Sequence, residues 1–397
     1  MLSVEEARER IAGHARLTAV ERLPLERCAG RVPAAFWVMA GIDVPPFDNS
    51  AMDGYAVRAA DTPGELPLVG EVAAGAAELP IVAPGTATRI LTGAPLPPGA
   101  DSVVPQELAT EADGVVRLPA AVARTHIRTR GEDTRAGDRV ELAREPLSAA
   151  GLAVLASLGI AELEVRRRPR VALLSTGDEL APVGARLRPG QIHDANAVSL
   201  AAAVADAGGE AVPLPVAGDD AETVRQRVST GVAQGDLLVV SGGVSVGRHD
   251  HLRDVIESLG TLDFWRIAVQ PGKPLAFGRV GDRPVIGLPG NPVSALVTFE
   301  LFVRPLLRRM LGMQGDGRLH LRARAAQRIA KHLDRRAYLR VVLTPEGDGW
   351  VAHSAGGQGS AQLRGMAAAN GLLVIPEGAD AAEPGTLYDA VLFGEIR

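Results

Sequence analysis

Three glycine- and proline-rich loops, each following a short apolar run, constrain this chain more than any other feature. They are Ser241-Gly242-Gly243-Val244-Ser245-Val246-Gly247, Pro271-Gly272-Lys273-Pro274 and Pro289-Gly290-Asn291-Pro292, all between Val239 and Ala295. A short apolar run stopped by Gly or Pro reads as a strand ending in a turn. Around these loops the chain alternates. Strands are predicted at Arg170–Leu174, Ala211–Val216, Asp236–Val240 and Val285–Leu288. Helices are predicted at Asn196–Ala207, Ala221–Ala233 and His251–Leu259, with a long amphipathic helix over Val293–Met310. That rhythm predicts a mostly parallel, doubly wound α/β domain with helices on both faces. Ligands of such domains bind beyond the carboxyl ends of the strands, where glycine lets the backbone approach them closely.

The flanking sequence follows other patterns. Ser3 and Glu6 have the spacing of a capping box, so a helix over 3–15 is predicted, and Leu147–Leu158 reads as a second helix. Between them, Leu66–Val72, Ala87–Leu91, Ser102–Val104 and Gly114–Leu118 are short strand-like runs broken by turns. The chain is therefore expected to be multidomain α/β. Residues 1–44 with 138–168 form a discontinuous helical or linker domain, 45–137 a β-rich insertion, 169–314 the α/β domain and 315–397 a small C-terminal β domain. The last contains strand-like runs at His320–Ala325, Ala337–Leu343, Gly349–His353 and Leu372–Ile375.

Composition removes several function classes. A net charge of −5 and 3% aromatic residues leave neither a basic footprint nor stacking platforms for nucleic acid. One cysteine, Cys28, excludes a disulfide framework and a cysteine zinc site; it reads as a packed thiol at a helix end. Met1–Arg10 is acidic and lacks the apolar core of a signal peptide, and no apolar run reaches the ~18 residues that span a bilayer. A soluble cytoplasmic protein without a membrane partner is expected.

The candidate chemistry lies at the strand ends. Only two of the 42 Lys+Arg are lysine, Lys273 and Lys331. Lysine is a compact point charge where arginine is a planar fork, so Lys273 in its Gly-Pro loop is a candidate anion contact; chance survival in an arginine-biased chain is the alternative. Asn291 suits a helix N-cap and Pro292 the first helical position, which would turn free N–H groups toward an oxyanion; a ligand-free strand-to-helix turn fits the same residues. Ser175-Thr176-Gly177-Asp178-Glu179 suits Mg²⁺ with a phosphate, and Asp219 and Asp250 are further oxygen donors. Each carboxylate taken alone fits a surface capping role better. Gly243-Val244-Ser245-Val246-Gly247 matches the nucleophile elbow of serine hydrolases, but Arg248-His249-Asp250 intervene before the helix and no HGGG-type segment precedes it.

Seven segments together resemble the molybdopterin molybdenumtransferase family, which includes the C-terminal domain of gephyrin. They are Pro46-Phe47-Asp48-Asn49-Ser50-Ala51-Met52-Asp53-Gly54-Tyr55-Ala56, Leu91-Thr92-Gly93-Ala94-Pro95, Arg130-Gly131-Glu132-Asp133, Leu174-Ser175-Thr176-Gly177-Asp178-Glu179-Leu180, Ser241–Gly247, Pro271–Pro274 and Gly287–Ser294. They stand in family order across nearly the whole chain. The resemblance implies the last step of molybdenum-cofactor synthesis: adenylylated molybdopterin and molybdate become the molybdenum cofactor, AMP is released, and Mg²⁺ is required. It also implies an elongated four-part subunit in a homodimer whose clefts are shared between subunits. A molybdopterin adenylyltransferase and apo-molybdoenzymes would be its protein partners. A dimeric scaffold without turnover and a tungstate-handling paralogue are the alternatives.

Carried over by resemblance, the Ser241–Ser245 loop with Gly242 and Gly243 corresponds to the nucleotide and pterin-phosphate cradle. Ser175, Gly177 and Asp178, with Pro289, Asn291 and Pro292, complete the binding loops. Glu179, Asp219 and Asp250 correspond to the acidic residues that would hold Mg²⁺ and the pyrophosphate, with Glu179 and Asp250 as its ligands. Asp53, Thr92, Arg128 and Asp133 match functional positions of the insertion. Lys273, Ser294, Arg340 and Ser360 match a molybdate-binding group. One departure stands out: where family members often carry a second lysine three residues before Lys273, this chain has Gln270. Restoring that charge beside a dianion should strengthen binding. Gln270→Lys is expected to lower the molybdate concentration giving half-maximal activity; no change, or a rise, refutes the idea.

Overall fold

The computed structural model describes residues 1–244, 251–332 and 334–396. The chain forms two compact units. One comprises Met1–Glu21, Gly30–Ala34 and Val165–Arg397, the other Arg22–Ala29 and Ala35–Glu164. The first unit opens with helix α1 (Val4–Ala12), and its predicted capping box is present. Ser3 Oγ accepts from the Glu6 amide at 3.1 Å, and Glu6 Oε2 accepts from the Ser3 amide at 2.8 Å.

The second unit is built on a six-stranded sheet of β1 (Gly54–Val57), β2 (Gly64–Val72), β3 (Ala87–Ile90), β4 (Ser102–Pro105), β5 (Thr110–Ala112) and β6 (Val115–Leu118), in the order β4-β1-β3-β2-β6-β5. Only β2 and β3 run parallel. Alternation decides the faces: Tyr55 and Val57 join one apolar cluster while Ala56, between them, joins the other. All four strand-like runs predicted here are strands. β1 was hidden because it begins inside the polar Asp53-Gly54 segment. Gly54 is required there, since a Cβ would lie 2.1 Å from the Val104 carbonyl oxygen. Helix α2 (Ala149–Ser157) lies where expected, capped by Ser148. Cys28 follows a single 3-10 turn and has no solvent exposure.

The central sheet of the first unit contains β7 (Arg170–Ser175), β8 (Glu210–Pro213), β9 (Leu237–Ser241), β10 (Gly260–Arg266), β11 (Pro274–Val280) and β12 (Arg283–Leu288), in the order β8-β7-β9-β12-β11-β10. The first four are parallel, as predicted; β11 and β10 add an antiparallel edge that the sequence did not announce. Helices α3 (Ala195–Asp206), α4 (Ala221–Gln234) and α5 (Leu252–Leu259) sit within this alternation. Leu200 and Val204 of α3 pack with Val171 and Val239 on one face, and Val224, Val228 and Leu252 pack with Ala172 and Val240 on the other. Successive residues of one strand thus serve opposite cores, which is why these strands read as continuous apolar runs.

The long helix predicted over Val293–Met310 is present but not uniform. It runs as α6 (Pro292–Thr298), a π-helical segment (Phe299–Val303) and α7 (Arg304–Met310). Pro305 explains the interruption: it has no N–H for the carbonyl four residues back, and its ring crowds that carbonyl. The Leu301 carbonyl accepts instead from Arg8 Nε of α1, at 2.9 Å.

Beyond α7, β13 (Leu319–Ala325), β14 (Arg336–Glu346), β15 (Gly349–Ser354), helix α8 (Leu363–Ala368), β16 (Gly371–Ile375) and β17 (Leu387–Leu392) form a small barrel-like domain. Its strands follow the order β14-β15-β13-β17-β16, and β16 pairs back to β14. Val269–Gln270 of the central domain adds to β14 in parallel. Asn370, 1% exposed, stitches the closure: Oδ1 accepts from the Leu343 amide at 2.7 Å, and Nδ2 donates to the Leu343 and Glu395 carbonyls at 3.0 Å each. Asn370→Ala orphans those buried groups and is expected to destabilise the barrel by about 3 kcal/mol. Native-state hydrogen exchange across β14–β17 reads the loss, with the Leu343 amide the most affected.

Candidate active site

The parallel register brings three strand ends level. Ser175, Ser241 and Leu288 lie side by side on β7, β9 and β12. Just past them the backbone crosses over: the Thr176 amide donates to the Ser241 carbonyl at 3.0 Å and the Gly242 amide to the Leu288 carbonyl at 3.1 Å. A cleft of about 690 Å³ opens at this edge. Its floor is the Ser241–Val244 turn, its walls the Thr176–Glu179 loop and the Pro289–Pro292 turn, and Ala361 and Leu363 of the C-terminal domain close one side.

Gly242 is what lets these loops nest. It has φ +92°, and a Cβ there would lie 2.7 Å from the Thr176 carbonyl oxygen and 2.8 Å from Thr176 Oγ1. Gly243 also touches Thr176 Oγ1, at 3.0 Å from its Cβ position. At Gly177 the space a side chain would need is filled by the Glu179 carboxylate, 2.2 Å from the Cβ position. The predicted cradle residues Gly177, Gly242, Gly243, Pro289, Asn291 and Pro292 all line the cleft, as do Glu179 and Asp219. Ser175 is buried at the end of β7, and Asp178 turns aside so that its Oδ1 accepts from the Asp219 amide at 3.3 Å. Ser245 and Asp250 lie outside the described residues.

Asn291 holds the N-cap position of α6 and Pro292 the first helical position, but the Asn291 side chain makes no capping hydrogen bond. Its Nδ2 donates instead to Ser360 Oγ at 3.0 Å, and the Val293 amide donates to the Ser360 carbonyl at 3.1 Å. The C-terminal domain is thereby pinned to the start of α6. Arg340 holds the same loop from behind, donating through Nη2 to the Gly357 and Gly359 carbonyls at 2.5 and 3.1 Å. It has no solvent exposure, burial pushes its pKa down, and Nε and Nη1 lack a partner among the described residues. Ser294 is buried beside Val293. Lys273 is exposed next to Pro274, which does reach the cleft. Gln270 accepts from the His332 amide at 2.9 Å, a neutral tie where a lysine would bring charge.

In the other unit, Asp53 and Thr92 meet. Both the amide and the hydroxyl of Thr92 donate to Asp53 Oδ1, at 2.7 Å each. The hydroxyl first, then the amide, holds the Asp53 carboxyl below its ordinary pKa. Arg128 pairs across from Asn49, and the Asp133 amide donates to the Val44 carbonyl at 3.1 Å. Sequence reasoning missed Thr176 as a wall of the cleft, Asn196 in the first turn of α3, and the Ala361–Leu363 contribution. Asn196 has a faint signal, two residues after the α3 N-cap Asp194; Thr176 has only its place in the Ser175–Glu179 motif, and Ala361 and Leu363 have none. Thr92→Val removes one of the two donors and is expected to raise the Asp53 pKa toward the ordinary value. Because a depressed carboxyl stabilises above its unfolded pKa and loses that contribution as pH falls through the folded one, the variant should lose it at higher pH. A carboxyl-carbon NMR titration checks this.

Comparison with known proteins now bears on the cleft. Residues 2–159 match the MoeA N-terminal region (domain I and II), 172–309 the probable molybdopterin binding domain, and 322–393 the MoeA C-terminal region (domain IV). The chain is 40% identical over 392 residues to molybdopterin molybdenumtransferase 2 of Mycobacterium tuberculosis, covering 95% of this chain and 96% of that protein. It is 37% identical to the molybdopterin molybdenumtransferase of Haemophilus influenzae, covering 95% of each. Two crystal structures of molybdopterin biosynthesis MoeA proteins from Pyrococcus horikoshii, 35% and 27% identical, superpose with TM-scores of 0.84 and 0.83 over 100% and 99% of this chain and 100% of theirs. The seven motifs, the cleft at the sheet edge and these matches over the whole length agree: the chain belongs to the molybdopterin molybdenumtransferase family.

Proposed function

We propose that this chain inserts molybdenum into adenylylated molybdopterin, converting it with molybdate into the molybdenum cofactor and AMP. The observation that carries the reading is the coincidence of the sheet-edge cleft with the segment matching the molybdopterin binding domain, in a chain whose curated relatives are named molybdopterin molybdenumtransferase. The nested glycine turn offers backbone at close range to phosphates, and Glu179 and Asp219 line the same cleft as hard oxygen donors. Mg²⁺ takes one or two carboxylates and completes its shell with phosphate and water. Bound there, it would offset the charge of two anions brought together.

This chain's own residues do the positioning. Lys273 would steady molybdate by point charge, with Ser294, Arg340 and Ser360 as the rest of the molybdate group; Arg340 holds the Gly357–Gly359 backbone and Asn291 ties Ser360 to the start of α6. Asp53, Thr92, Arg128 and Asp133 would complete the cleft of a second copy in a homodimer, and the four-part division of the subunit belongs to the same reading. So do a molybdopterin adenylyltransferase as supplier, apo-molybdoenzymes as recipients, and a cytoplasmic setting. No observation favours a scaffold without turnover or a preference for tungstate.

The test is AMP release from adenylylated molybdopterin with molybdate titrated, with and without Mg²⁺. Release that requires both, yielding product that activates an apo-molybdoenzyme, is expected. Tight nucleotide binding without release overturns the transferase in favour of a scaffold.

A further inference from the structure

Asn196 stands in the first turn of α3 between two of the loops that form the cleft, and it is 9% exposed. Its Nδ2 lies 2.6 Å from Ser241 Oγ and 2.8 Å from the Gly290 carbonyl oxygen. A carbonyl can only accept, so the amide nitrogen and not the oxygen must face both groups. Ser241 Oγ therefore receives a hydrogen from Asn196. The hydroxyl proton that remains donates to no acceptor among the described residues, and Ser241, 4% exposed, lines the cleft. The arrangement leaves Asn196 Oδ1 buried without a partner among the described residues, an orphan that costs stability.

A free serine hydroxyl can present either its proton or a lone pair. A phosphate offers only acceptors, so a lone pair turned toward it repels. Asn196 biases that choice: it occupies one lone pair, so the hydroxyl proton cannot point back at the amide and is left for another acceptor. We propose that Asn196 is a positioning residue that orients the Ser241 hydroxyl as a donor to a phosphate oxygen of the bound nucleotide. The inference rests on the reading of the cleft as the site of adenylylated molybdopterin.

The test compares Asn196→Asp with Asn196→Ala, each with Ser241 intact and with Ser241→Ala. AMP binding is measured by calorimetry, and melting temperature is followed alongside. Asp is closer to Asn in size and shape, yet its carboxylate captures the Ser241 proton. Ala leaves the hydroxyl free to rotate. Asn196→Asp is expected to weaken AMP binding about tenfold or more, the scale of one hydrogen bond to a charged group, and Asn196→Ala only a few-fold. In the Ser241→Ala background the Asn196→Asp penalty is expected to shrink, because the two changes remove one interaction. A structural role predicts the reverse order, with Ala worse than Asp in step with its melting temperature. A charge effect predicts an Asp penalty undiminished in Ser241→Ala. Either result overturns the proposal, as does AMP affinity indifferent to Ser241→Ala. Molybdate-dependent AMP release by the unaltered chain is scored separately, so the function can fail while the donor orientation stands, and the converse.

Discussion

The hydrogen-bonded register of three parallel strands is the constraint on which the rest depends. It sets Ser175, Ser241 and Leu288 abreast, so the loops that follow leave the sheet at one height and must share one small volume. They can do so only because Gly242 and Gly243 have no side chain where Thr176 stands. A register shift of one residue on β9 would exchange the two apolar cores served by Val239 and Val240 and move the glycines out of the cleft. Core packing and cleft geometry are therefore fixed by the same pairings.

The second recurring device is the use of side chains to bind segments far apart in sequence. Asn370 closes the barrel, Asn291 fastens the Ser360 loop to α6, and Asn196 joins the α3 turn to Ser241 and Gly290. Each donates through its amide nitrogen to a group far away in sequence, and Asn370 also accepts through Oδ1 from the Leu343 amide. Aspartate does comparable work where several donors converge. Asp236 accepts from the side chains of Arg167 and Arg283 and from the Arg170 amide, tying the start of β7 to the start of β12.

Much of this architecture was legible in the sequence, for physical reasons that differ by element. The parallel strands were found because strands buried on both faces must be continuously apolar, and α1 because Ser3 and Glu6 advertise its start. β10 and β11 escaped because Gly260, Arg266 and Arg279 dilute the pattern of an edge hairpin. α8 escaped because Leu363–Ala368 is a short helix whose only buried residue is Gly365. The cleft glycines were visible from their spacing, whereas Thr176 was noticed only as part of a motif. Its importance comes from what Gly242 lacks, and no linear pattern records that. Asn291 was seen in its proper place, but its side chain serves Ser360, a partner 69 residues away.

The hydrogen bond from Arg8 to the Leu301 carbonyl spans 293 residues of sequence. Pro305 leaves that carbonyl without its helical donor, and the replacement comes from the first helix of the chain. During synthesis α1 emerges early, yet the group it satisfies is made only when three quarters of the polypeptide has been translated. Contacts of such separation form late because closing the intervening loop costs entropy before the contact rewards it. The amino-terminal helix, first to leave the ribosome, thus has to wait for a partner made much later before this contact can form.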